Sequence, residues 1–282
     1  MSKILDGKLV SKSLKDKVAQ EVAALSEDGI TVGLAVILVG DDPASQIYVN
    51  NKKNACDAVG IKSFEYRLDA NTTQDELISL IKTLNSDKDV NGILCQLPLP
   101  NHIDEQAVIA AISPQKDVDA FHISNVGRIM LGNFEFLPCT PAGIIHILDF
   151  YGIDIEGKNC VVIGRSNIVG KPMAMLLLHR NGTVTICHSK TKCLSEITRN
   201  ADILVSAVGK AGFLTADMVK KGAVVIDVGM NRYNGKLCGD VCFEEISKIA
   251  GYITPVPGGV GPMTIAVLMN NTLTAAKIQN GR

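Results

Sequence analysis

Residues 158–178 read KNCVVIGRSNIVGKPMAMLLL, and this run decides the fold. The apolar, strand-length segment NCVVI leads through a glycine-bearing turn into a segment whose apolar residues recur at helical spacing. Strand, Gly-rich turn and helix in that order aim backbone N–H groups at the place where a phosphate can sit, so a dinucleotide site is expected at the turn. The spacing departs from GxGxxG, because Ser166 stands at the second glycine position and Gly170 falls one residue late. A P-loop competes through Gly170 and Lys171, but five residues separate Gly164 from Gly170, and Pro172 stands where that motif needs Ser or Thr. A turn that serves packing alone is the third reading.

Working outward, the next apolar strand runs into basic and hydroxyl residues, TVTICHSKTK over 183–192. NAD-binding folds place a carboxylate near this position to accept the ribose hydroxyls, and that carboxylate would repel a 2′-phosphate. His188, Ser189, Lys190 and Lys192 stand there instead, and Arg165 beside Gly164 adds a planar donor fork. The expected cofactor is NADP, although a solvated basic loop has the same composition.

The same alternation extends over most of the chain, which predicts βα units and a largely parallel sheet. Strands are expected at Val32–Val39, Ile61–Leu68 and Val90–Cys95, and after the turn region at Cys160–Ile163, Val184–Cys187, Ile203–Val208 and Val224–Val228. Asp42 with Pro43 starts a helix that Gly60 stops, and Thr73 with Glu76 forms a capping box for a helix toward Leu84. Residues 113–141 read as a mixed polar loop with a short hairpin at Phe134–Leu137, followed by a helix over Ala142–Phe150. That loop predicts the domain boundary. A helix over Pro262–Ile278 is entered through the Pro/Gly run TPVPGGVGP.

Composition narrows the function classes. The chain has 282 residues, 46% of them apolar, enough for a large core; 28 Lys and Arg against 29 acidic residues create no bulk field for nucleic acid or an anionic membrane. No apolar stretch approaches the roughly 20 residues that span a bilayer, and MSKILDGKLV lacks a signal-peptide core, so a cytoplasmic protein is expected. The eight cysteines are scattered without a CxxC pair. Cys95, Cys160 and Cys187 read as reduced core thiols, and no metal site is expected.

Candidate chemistry lies in the first half. After Pro43, helical spacing puts Ser45, Tyr48 and Lys52 on one stripe facing a surface or cleft, with Ile47, Ala55 and Val59 on a stripe for the core. Such a lysine is by default a solvated charge. Gln96 follows a strand at its carboxyl end, where open α/β sheets bind ligands, and the prolines of QLPLP stiffen the loop around it. Asp117 and Asp119 in KDVDAFH are each compatible with a turn or a cap.

Taken together, ASQIYVNNK, GILCQLPLP, PQKDVDAFH, PCTP, GRSNIVGKP, HSKT and TPVPGGVGPMT resemble, in order and distance, the bifunctional methylenetetrahydrofolate dehydrogenase/methenyltetrahydrofolate cyclohydrolase family (FolD type). The resemblance covers nearly the whole chain. It implies an α/β fold of two domains: a catalytic folate-binding domain over 1–140 joined by the last helix at 262–282, and a Rossmann-type NADP-binding domain over 141–261. It also implies a homodimer in the one-carbon metabolism that serves purine biosynthesis. By resemblance Lys52 is the catalytic lysine, Tyr48 stacks on the folate, Gln96 orients the lysine and Asp119 holds the pterin. Leu97 and the loop of Pro257, Gly258 and Gly259 are further substrate contacts. Gly164, Arg165, Ser166, Ser189 and Met230 carry over as cofactor contacts. Ala120 stands where the family often has Gly.

These roles are chemically coherent. Loss of hydride leaves a methenyl cation that repels a protonated lysine, so a neutral amine is favoured there and can act as general base toward water. Two enzymatic alternatives are an NADP dehydrogenase of the shikimate dehydrogenase type and a family member with one activity only. A dinucleotide-sensing module explains the glycine turn but leaves Tyr48, Lys52, Gln96 and Asp119 without purpose.

Overall fold

A computed structural model describes residues 2–233 and 235–282, with the backbone alone at Ala44. The chain opens with β1 (Lys3–Ile4) and α1 (Gly7–Glu27), then alternates β2 (Gly33–Val39), α2 (Pro43–Val59), β3 (Lys62–Leu68), α3 (Gln74–Ser86) and β4 (Gly92–Cys95). Next come α4 (Glu105–Ala111), α5 (Ile123–Leu131) and α6 (Cys139–Phe150). A second alternating series follows: β5 (Asn159–Ile163), α7 (Gly170–His179), β6 (Thr183–Cys187), α8 (Leu194–Thr198), β7 (Ile203–Ser206) and β8 (Val224–Asp227). The antiparallel strands β9 (Asn231–Tyr233) and β10 (Lys236–Cys238), then α9 (Phe243–Ile246), β11 (Tyr252–Ile253) and α10 (Val260–Gln279), complete the chain.

Two compact units divide these elements: Ser13–Leu137 with Ile265–Arg282, and Pro138–Thr264 with Met1–Lys12. In the first, three parallel strands lie in the order β3-β2-β4. The central strand, GLAVILV, is buried at every residue, which is why it lacks polar alternation. Leu77, Ile81 and Leu84 of α3, at helical spacing, seal one face of this sheet. Beyond β4 the chain returns alongside it, with the Ile93 N–H donating to the Lys116 carbonyl at 2.7 Å and Asp117 paired beside Ile93. The last helix belongs to this unit: the Asn271 amide donates to the carbonyls of Val118 and Leu137, Gln279 to those of Asn91 and Gln115, and Lys277 pairs with Glu21 on α1.

The second unit holds a parallel sheet of six strands, ordered β1-β11-β8-β7-β5-β6. From β5 the chain steps outward to β6 and then crosses to β7 on the other side of β5. The carboxyl ends of β5 and β7 therefore flank the topological switch point of a doubly wound sheet. Val161, Ile163, Leu204 and Val225 are among the side chains that fill its core. β1 clusters here because Lys3 and Ile4 extend the sheet beside Tyr252 and Ile253.

Three expectations need correction. Residues 113–141 are not all loop: α5 begins at His122, whose Nδ1 accepts the Ser124 N–H, and ends at left-handed Gly132. Phe134–Leu137 forms no hairpin; it is irregular chain that places Phe136 in the core at 1% exposure. On α2 the core face runs through Ser45, Val49, Cys56 and Val59, with Ala55 at its edge, and Ile47 points away from it at 54% exposure. Ser45 is small enough to be buried at the helix start, and its N–H donates to the Asp42 cap at 2.8 Å.

Candidate functional site

In the first unit, the helix that carries Lys52 is fixed at both ends. Asp42 caps it, Pro43 occupies the first turn, and Gly60 closes it in the left-handed conformation. Lys52 falls on the core face between Val49 and Cys56, half-buried rather than freely solvated. Its amine donates to Gln96 Oε1 at 2.7 Å. Gln96 follows the carboxyl end of β4, where its backbone N–H donates to the Ile37 carbonyl at 2.8 Å. Its Nε2 donates to the Leu97 carbonyl at 2.6 Å. A carbonyl can only accept, so the amide has one orientation and its oxygen faces the lysine.

Tyr48 sits one turn before Lys52, with 40% of its surface exposed. Leu97 is half-buried next to Gln96. The two aspartates separate clearly. Asp117 is buried, accepts the His122 N–H and the Asn125 amide at 2.8 Å each, and has its carboxyl pushed up by burial, so it holds the entry to α5. Asp119 is half-buried and near Cys95, whose thiol is pushed up to about 12 by burial first and by Asp119 second. Tyr48, Lys52, Gln96, Leu97 and Asp119 thus belong to one unit, on α2 and on the loops after β4 and beside it. Ala120, fully buried, takes φ +59, a left-handed conformation that suits glycine.

In the second unit, Gly164 follows β5 with φ +131, and a Cβ there would lie 2.4 Å from the Ala207 carbonyl oxygen after β7. A Cβ on Gly170 would lie 2.3 Å from the Gly164 oxygen. Both positions need glycine because backbone approaches backbone, across the switch point at Gly164 and within the turn itself at Gly170. Ser166 Oγ accepts the N–H groups of Val169 and Gly170 at 3.1 and 3.3 Å, which closes the turn leading into α7 and leaves the hydroxyl proton to donate elsewhere. Arg165 is exposed at this turn. In register, Ile163 pairs with Cys187, so exposed Ser189 and Lys190 follow the neighbouring strand end. The cradle and the cations beside it fit a phosphorylated dinucleotide.

Met230 is 51% exposed after β8, and its Cε lies 3.5 Å from where a Cβ on Gly261 would be. Pro257 is exposed, while the Gly258 oxygen accepts the Gly7 N–H at 3.0 Å and Gly259 packs against Gly7. The sequence reading misses Asp227 and Asp240, both buried at the carboxyl end of this sheet. The legible signal was a carboxylate ending an apolar strand, VVID. Among the described residues no group of three or more His, Cys, Asp or Glu could hold a metal ion, and no helix is long and apolar enough to cross a membrane.

Residues 5–119 match the catalytic-domain model of tetrahydrofolate dehydrogenase/cyclohydrolase, and residues 138–280 match its NAD(P)-binding-domain model. The chain belongs to the tetrahydrofolate dehydrogenase/cyclohydrolase family. It is 62% identical to the bifunctional protein FolD of Acetivibrio thermocellus, across 99% of this chain and 98% of that one. The solved FolD methylenetetrahydrofolate dehydrogenase/cyclohydrolase of Campylobacter jejuni superposes with a TM-score of 0.97 at 54% identity, covering 99% and 100% of the two chains. The methylenetetrahydrofolate dehydrogenase-cyclohydrolase of Trypanosoma brucei, solved with NADP and an inhibitor, gives 0.95 at 40% identity, covering 100% and 99%. A shikimate dehydrogenase of Aquifex aeolicus reaches only 0.52 at 13% identity over 89% of this chain and 93% of that one, a likeness of fold alone.

Proposed function

We propose that this member of the family oxidises 5,10-methylenetetrahydrofolate with NADP and then hydrolyses the 5,10-methenyl product to 10-formyltetrahydrofolate. The supporting observation is the Lys52–Gln96 pair, an amine held at 2.7 Å by an amide of defined orientation at the carboxyl end of a parallel sheet. We assign folate binding to the N-terminal part of the chain with its last helix, and nucleotide binding to the part between.

In this reading Asp119 accepts hydrogen bonds from the pterin, Tyr48 stacks on the substrate and Leu97 contacts it; Pro257, Gly258 and Gly259 are proposed as further substrate contacts. Bound NADP supplies the hydride acceptor; Gly164, Arg165, Ser166 and Ser189 hold its phosphates and ribose, and Met230 flanks the nicotinamide. With hydride gone, the substrate is a cation, and it favours Lys52 as the neutral amine. Gln96 Oε1 takes one amine N–H and so orients the nitrogen, which accepts a proton from water as that water attacks the methenyl carbon. The protonated amine then returns the proton to the ring nitrogen as the ring C–N bond breaks, and the adduct hydroxyl releases its own proton to water as the formyl C=O forms. The chain acts as a homodimer, which sedimentation would report.

Lys52→Met tests the assignment. Methenyl hydrolysis should fall by at least ~100-fold, the usual reach of general-base catalysis, while NADPH binding and the thermal transition persist. Full hydrolysis in that variant, followed by loss of methenyl absorbance, would refute the role of Lys52.

A further inference from the structure

Two buried carboxylates have no part in the chemistry above. Asp227 ends β8 and Asp240 follows β10, at 3% and 0% exposure. Each is admitted by a glycine beside the other: a Cβ on Gly229 would lie 2.2 Å from Asp240 Oδ1, and one on Gly239 would lie 1.8 Å from Asp227 Oδ2. Asp227 accepts the N–H groups of Gly229, Asp240 and Val241 at 3.0, 2.9 and 3.1 Å, so it fixes the backbone that bears Asp240.

Asp240 in turn reaches two separate segments. Its Oδ2 accepts the N–H groups of Val208 and Gly209 at 2.8 and 3.2 Å and the Ser206 hydroxyl at 3.3 Å. Its Oδ1 accepts the Lys210 N–H at 2.8 Å and the Asn231 amide at 3.0 Å. These donors come from the end of β7 and the residues that follow it, up to Lys210, or from Asn231 at the start of β9. The first segment contains Ala207, the carbonyl against which Gly164 closes at the switch point. The second begins with Met230. Charge-assisted bonds from three successive N–H groups hold a loop far more firmly than contacts to water would.

We propose that Asp240 is a positioning residue for the nicotinamide nucleotide, its carboxylate holding residues 206–210 and 230–231 in the conformation that receives NADP. This rests on the functional reading above.

Asp240→Asn keeps the shape but turns an N–H toward N–H donors on one side. NADPH affinity, measured by fluorescence titration, should fall about tenfold, roughly 1.4 kcal/mol. The KM for NADP should rise in step, and the ratio of oxidation to methenyl hydrolysis should drop by about the same factor. Unchanged affinity, or both activities falling together, would overturn the proposal. Should Asp240→Asn fail to fold, Asn231→Ala removes one donor from the same carboxylate. A few-fold loss of NADPH affinity with a native thermal transition supports the inference, and native affinity overturns it. If the unaltered enzyme binds NADPH but leaves methylenetetrahydrofolate unoxidised, the functional reading falls, while the binding titrations still judge Asp240.

Discussion

At Ala120 one methyl group sets several small effects against each other. Its left-handed φ of +59 costs an alanine about 1–2 kcal/mol, which glycine would avoid. Glycine would give up about 0.5–1 kcal/mol in chain entropy and about 0.8 kcal/mol for the buried methyl. The effects nearly cancel, so Ala120→Gly should unfold in urea within about 1 kcal/mol of the parent. Ala120→Val should lose about 3 kcal/mol, since a branched side chain can neither take this conformation easily nor fit at 0% exposure. Equal stability of the two variants would contradict the strain argument. Tyr48, Lys52, Gln96 and Asp119 were legible as residues because their motif blocks are long. The resemblance also paired Gln96 with Lys52, 44 residues away, and the 2.7 Å bond agrees with it. That Lys52 lies on the core face of α2 was not legible, since periodicity put it on a polar stripe.

The turn between β5 and α7 shows what an element's sequence can carry. Its glycines predict a close approach, yet the atom approached, the Ala207 carbonyl, lies just past the end of β7, two strands later in the chain. Gly164→Ala should therefore weaken NADPH binding by at least ~10-fold in a fluorescence titration, because Cβ and backbone oxygen cannot share that space. Native affinity would show that the turn yields freely. Local signals served best where the bonding is local: Thr73 and Glu76 form the reciprocal capping box, and Asp42 and Gly60 bound α2. They failed for α5, whose cap is a histidine and whose apolar residues remain largely outside, with Ile123 at 80% and Leu131 at 79% exposure. α1 also lies outside the expected elements, although Val10, Val18, Val22 and Leu25 recur at helical spacing.

For the whole molecule, the final helix ties together the unit that carries Lys52. Asn271, 4% exposed, gives both amide protons to carbonyls more than 130 residues earlier, Val118 at 2.8 Å and Leu137 at 2.9 Å. Asn271→Ala leaves two acceptors without these donors, and the urea unfolding free energy should fall by about 2–4 kcal/mol. A loss below 1 kcal/mol would mean that water or neighbouring groups replace them. Sequence alone determined the βα alternation, the helix ends at Asp42, Gly60 and Thr73, and the glycine turn between β5 and α7, and it named the residues proposed for the site. These depend on periodicity, on side-chain bonds a few residues long, and on motifs read in order. Only the tertiary structure decided that Asp117 is structural while Asp119 is half-buried, that Lys52 lies on the core face of α2, and that Asp240 holds two loops of the large sheet. Those outcomes depend on burial and on hydrogen bonds between distant segments, and neither exists until the strands have paired.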